Sequence, residues 1–101
     1  MDCYVYQAAL LCDDCGARVR NDWREQHQSA TETPEDSDDY PQGPMDNGGG
    51  EADCPQHCDH CNTFLENPLT SDGETYVREA VASGKGFCIG QWRQFYSYLF
   101  N

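Results

Sequence analysis

The chain has 101 residues, 18 acidic side chains against 6 Lys and Arg for a formal charge of −12, and seven cysteines. That length holds a single domain at most, residues 1–101, and a chain so short is marginal unless something staples its core. The charge repels phosphate backbones and anionic membranes, so it argues against direct nucleic-acid binding and favours a basic protein partner, and no stretch approaches the ~20 apolar residues of a membrane span.

The start, Met1-Asp2-Cys3-Tyr4, carries no basic region and no long apolar run. A reducing cytoplasm is therefore the expected compartment, where grouped cysteines bind metal or exchange electrons instead of forming structural disulfides. Residues 3–11 are rich in aromatic and branched side chains and read as one strand, with Tyr4, Tyr6, Ala8 and Leu10 on one face and Cys3, Val5 and Leu11 on the other. The strand runs into Cys12-Asp13-Asp14-Cys15-Gly16, read as a metal knuckle whose glycine takes positive φ.

From Ala17 to about Gln28 the positions Val19, Trp23 and His27 recur every four residues and predict a short helix. Arg18, Arg20 and Arg24 are half of the chain's basic residues and crowd this element, either to offset a tetrathiolate metal centre or to balance nearby acids. Residues 29–53 follow as an acidic, Gly- and Pro-rich insert, with Glu32, Glu35, Asp36, Asp38 and Asp39 inside eight positions and turns at 40–44 and 48–50. Such a stretch cannot bury enough surface to fold alone, so it reads as a loop tied at its ends by metal. Its carboxylates are the candidate partner-binding residues, with solubility as the plainer use. A calcium loop fails here, since Tyr40 and Pro41 stand where a ligand and the required glycine belong.

Cys54-Pro55-Gln56-His57-Cys58-Asp59-His60-Cys61 supplies the second C-x-x-C. Two such pairs across a long insert have the spacing of a four-thiolate zinc site, one Zn²⁺ per chain held by Cys12, Cys15, Cys58 and Cys61. Cys54 competes as a third ligand on the same segment, and His57 lies within reach but is a neighbour of the centre at best. His60 points outward in a C-x-x-C turn. A closed set of four thiolates leaves no open coordination position for water, so the centre reads as structural. A dithiol redox motif fits Cys12-Asp13-Asp14-Cys15 less well, because two carboxylates raise thiol pKa values where a reactive thiolate needs them lowered. Cys3 and Cys88 read as small buried apolar side chains.

Beyond the second pair, residues 62–65 read as a short strand and 66–70 as a turn. Ser71 three residues before Glu74 has capping-box spacing, Gly84 sits at a C-cap position, and Tyr76, Val77, Ala80 and Val81 share one face of the helix between. After Gly84, Gly86 and Gly90, the series Trp92, Phe95, Tyr96 and Leu99 predicts a second amphipathic helix, with an alternating strand as the weaker reading.

Several stretches taken together resemble a group of small uncharacterised proteins of bacterial and phage genomes. They are the Tyr-x-Ala-x-Leu-x-Cys-x-x-Cys-Gly start from Tyr6, residues 37–44, residues 48–53, residues 55–58 and Phe64-Leu65-Glu66-Asn67-Pro68-Leu69-Thr70, nearly the whole chain. The resemblance implies a two-knuckle zinc-binding domain and attaches no activity to it. Only the two C-x-x-C pairs recur in that pattern, so Cys54 and Cys88 depart from it.

The sequence thus predicts an α+β, zinc-ribbon-like domain with short strands and two to three helices. No nucleophile paired with a base, no phosphate loop and no hydrolytic metal motif is visible, so an enzyme is not expected. The leading expectation is a non-catalytic protein-interaction module with structural zinc. The alternatives are a phage-type acidic inhibitor that mimics nucleic acid, such as an anti-CRISPR or anti-restriction protein, and, third, a thiol redox protein.

Overall fold

A computed structural model describes residues 1–84 and 88–100. Gly86, part of the predicted glycine punctuation, lies outside the described residues. Over these described residues the fold is α+β, with three short antiparallel strands, three α-helices and two 3-10 turns in an elongated body of 55 × 20 × 17 Å.

The segment read as one strand is a hairpin. Strand β1 (Cys3–Tyr6) turns at Gln7 and Ala8, both at positive φ (50° and 61°), and returns as β2 (Ala9–Cys12). Two consecutive residues in that region make the tight turn whose twist matches the strands, a role usually given to Asn-Gly, which is why the spelling Gln-Ala hid it. The Gln7 amide is held by the Ser37 carbonyl at 2.9 Å. The turn also inverts the facial pattern: Tyr4 pairs with Leu11 and Val5 with Leu10, so Leu10 shares the face of Val5 and not that of Tyr4.

Helix α1 (Asp13–Gln26) starts four residues earlier than its periodicity indicated, with Cys12 as N-cap and Asp13 and Asp14 in the first turn, where carboxylates suit the helix dipole. Gly16 is therefore helical and absent from the positive-φ set. Its purpose is close approach. A Cβ there would lie 2.1 Å from Cδ2 of Tyr4 and 2.6 Å from Cγ, so the helix can lie on the hairpin only because the side chain is missing. Gly16→Ala in a helix ordinarily stabilises by about 0.5–1 kcal/mol. Here the displaced ring outweighs that gain, and a net loss of about 1–2 kcal/mol is expected in urea denaturation, with Tyr4→Ala in the same chain relieving the clash that Gly16→Ala introduces.

The acidic insert is more than a tether. Its residues Gln42–Met45 form β3, which pairs antiparallel with β1 and gives the sheet order β2-β1-β3. Pro44 sits on this edge strand, where a missing N–H costs no ladder bond. Arg20 fastens the insert to the rest: its guanidinium stacks over Tyr4 (4.5 Å) and Tyr40 (5.0 Å) and donates to the carbonyls of Pro41 (3.0 Å) and Gly43 (3.1 Å). Arg18 and Arg24 are exposed.

Helix α2 (Ser71–Ser83) is capped by Thr70, whose hydroxyl accepts from the Gly73 amide at 3.1 Å, one residue before the predicted cap, and ends at Gly84 in the left-handed conformation (φ 66°). Helix α3 (Ile89–Phe95) gives way to a 3-10 turn (Ser97–Phe100). That change of pitch keeps Trp92 and Tyr96 buried and leaves Tyr98 outside, so the predicted helix is present but short and the strand alternative is excluded. Residues 62–65 contribute one bridge, His57 with Phe64, in place of the predicted strand.

Two cores result. One joins the hairpin, α1 and the cysteines around Tyr4, Leu11 and Leu65; the other gathers Phe64, Leu69, Val77, Trp92 and Tyr96. Residues 54–67 run between them, and they carry the second cysteine pair.

Candidate metal centre

Cys12, Cys15, Cys58 and Cys61 bring their sulfurs within 4.8 Å of one another. Sulfurs about 2.3 Å from a tetrahedral ion stand about 3.8 Å apart. The Cys12 and Cys61 sulfurs are 3.6 Å apart, far beyond a disulfide bond, and all seven cysteines are free. The set therefore has the size of a four-thiolate metal site.

The two halves are built differently. Cys12 ends β2 and Cys15 lies in the first turn of α1, so the strand-to-helix junction aims both sulfurs from a helix N-terminus, where partial positive charge favours thiolates. The other half is a knuckle. The Cys58 amide donates to Thr63 O and the Asn62 amide to Cys58 O, both at 2.8 Å, and Asn62 takes φ 64°. The positive φ predicted after Cys15 is thus found after Cys61, at an asparagine, the non-glycine residue that tolerates it best. The Asp59 amide donates to Leu10 O at 2.9 Å and pins the knuckle to the exposed edge of β2.

Burial differs among the ligands. Cys12, Cys15 and Cys58 are buried and Cys61 is exposed. Burial pushes the Cys12 and Cys15 thiols up, and for Cys15 the neighbouring cysteines add to the rise. Cys61 is lowered to about 6 because the Thr63 hydroxyl, 3.0 Å away, and the Thr63 amide both stabilise its thiolate. At pH 7 Cys61 is ionised while Cys12 and Cys15 hold their protons, so a metal must displace at least two protons. Apparent metal affinity is expected to rise at least about 100-fold per pH unit through neutrality, read by competition with a chromophoric chelator; a slope below tenfold would contradict the raised thiols.

The rival ligands fall outside the cluster. The Cys54 sulfur accepts from Gln56 Nε2 at 3.6 Å and belongs to no group of metal-competent side chains among the described residues. His57 uses both ring nitrogens elsewhere. Nδ1 faces the Asn62 carbonyl at 2.9 Å, which can only accept, so Nδ1 carries the proton; Nε2 accepts from Trp92 Nε1 at 3.1 Å. His57 thereby holds the left-handed residue of the knuckle with one nitrogen and the second core with the other, a role of the kind that orients metal ligands from behind. The sequence alone marks it only as a neighbour of the cysteines. His60 is exposed, as predicted, Cys3 is fully buried and Cys88 is half-buried. The carboxyl-bearing residues Glu32, Glu35, Asp36, Asp38 and Asp39 lie along the insert, where Asp36 Oδ1 accepts from the Asp38 amide at 2.9 Å within its own turn.

No protein-family model matches the chain, and neither does any curated protein or solved structure. No described helix is long and apolar enough to cross a membrane.

Proposed function

We propose that the chain is a cytoplasmic, non-catalytic protein-interaction module whose fold is stabilised by one structural zinc ion on Cys12, Cys15, Cys58 and Cys61. The observation that carries this reading is the closed set of four sulfurs, three of them buried, joining the N-terminal sheet and helix to the segment that leads into the second core. Zinc suits four thiolates in a tetrahedron and needs no redox change to hold them. With all four positions taken by protein, the ion has none left for substrate. The balance of charge selects a basic protein as partner. Metal analysis of protein purified without chelator is expected to give about one zinc per chain, and capture of partners from the native host cell, read by mass spectrometry, tests the interaction itself.

A second reading rests on the acidic insert. Five carboxylates within residues 32–39 form the kind of run that can stand in for phosphates in the groove of a host defence nuclease, as a phage-type inhibitor would. Neutralising Glu32, Glu35, Asp36, Asp38 and Asp39 to Gln or Asn separates the two. On the interaction-module reading, zinc content, fold and partner affinity stay within about twofold; on the mimic reading, partner affinity collapses and loses its salt dependence while zinc and fold persist.

A further inference from the structure

An open groove of about 790 Å³ lies where the metal knuckle meets α3. Cys61, Asn62, Thr63 and Phe64 of the metal knuckle form one wall, and Gln91, Gln94 and Phe95 of α3 form the other. Its accessible apolar surface comes from Met1 and Phe95, which are 46% and 43% exposed, with Phe95 edge-on at 5.5 Å to Phe64, itself buried in the second core. Glu66 supplies a carboxylate to the lining.

Backbone conformation singles out the same place. Six non-glycine residues of the described chain take positive φ, and three of them, Asn62, Glu66 and Cys88, line this groove. Asparagine bears that conformation readily, but glutamate and cysteine do so at a cost, and such residues gather where a surface is shaped for use.

We propose that this groove docks an extended protein segment that alternates apolar and basic side chains. An apolar side chain of the segment packs on Phe95 and Met1, a cation pairs with Glu66, and the Gln91 and Gln94 amides bond its backbone. Charge decides the occupant. A second copy would bring together two chains of −12 each, and a nucleic acid would add phosphates to the same field, whereas a basic segment is drawn in. The assignment rests on the interaction-module reading and locates its surface.

The test is fluorescence anisotropy with a short labelled peptide alternating leucine and arginine, at physiological salt on zinc-loaded protein, beside a leucine–glutamate peptide. The basic peptide is expected to bind with roughly micromolar affinity and the acidic one not at all. Glu66→Gln and Phe95→Ala should each weaken binding about tenfold. The pair Gln91→Lys and Gln94→Lys, which leaves both cores untouched, should abolish it even if Phe95→Ala fails to fold. The variant neutralised at residues 32–39 should bind within about twofold of the original. Unchanged binding by the double lysine variant overturns the groove and leaves the interaction-module reading standing, because a basic segment is still bound; loss of binding in the neutralised variant alone overturns the groove and favours the mimic reading instead. Absence of peptide binding together with an empty capture from host cells overturns both.

Discussion

Cys58→Ser is expected to leave the chain unfolded and without metal. Cys58 is fully buried in the first core, its amide closes the knuckle through Thr63 O, and its sulfur is one of four that meet at the centre. A structural zinc in a small domain contributes apparent binding free energy on the order of 10 kcal/mol, and a domain this size has total stability of about 5–15 kcal/mol. Losing a ligand removes much of the first figure and so consumes most of the second. Chelation of the intact protein should act in the same way. Circular dichroism and metal content of Cys58→Ser, beside Cys88→Ser, check the point, because Cys88 is outside the cluster of four sulfurs and its serine variant should stay folded with zinc in place. Equal damage from Cys88→Ser would refute the ligand set.

The metal centre was legible in the sequence because ligand spacing is a local signal. Two C-x-x-C pairs state their geometry in a few residues, and the structure brings together the same four cysteines. The helices after the knuckle were legible for a related reason, since α2 carries a hydroxyl cap at one end and Gly84 at the other. What escaped depends on partners distant in the chain. The Gln7–Ala8 turn has no turn-forming composition; it is held by a register with β2 and by the Ser37 carbonyl from within the insert. Strand β3 hides in an insert with little apolar content, and its place on the sheet depends on Arg20 gripping the Pro41 and Gly43 carbonyls. Gly16 shows the limit most plainly: its presence after Cys15 suggested a turn, but the reason for a glycine is a tyrosine ring on another element. His57 was read by its distance from the cysteines. Its two nitrogens are instead committed to Asn62 and Trp92, and only the fold brings Trp92 near.

Asn67→Ala is expected to be the most damaging change outside the metal centre. Asn67 is fully buried, the one buried polar or charged side chain among the described residues, and its amide is saturated by backbone. Oδ1 accepts from the Gln56 amide at 2.7 Å, while Nδ2 donates to the carbonyls of Cys54 at 3.1 Å and Pro68 at 3.0 Å. The residue's own carbonyl accepts from the Tyr96 hydroxyl, itself buried in the second core, where desolvation raises the phenol and keeps it a donor. One residue therefore ties the approach to the knuckle, the turn before α2 and the end of α3 together. Truncation strands the Gln56 amide and the Cys54 carbonyl, each at a cost of about 1–3 kcal/mol, whereas Pro68 O keeps its bond from the Ala52 amide. The sum, about 2–6 kcal/mol before the small cavity is counted, should lower the melting midpoint of the zinc-loaded protein by roughly 10 °C or more. Asn67→Asp separates hydrogen bonding from volume: it keeps the size and the acceptor for Gln56 but loses both donated bonds, setting a carboxylate against two carbonyls, so it should be at least as harmful as alanine at pH 7. If Asn67→Asp is tolerated while Asn67→Ala is not, packing volume and not the amide network holds the two cores together.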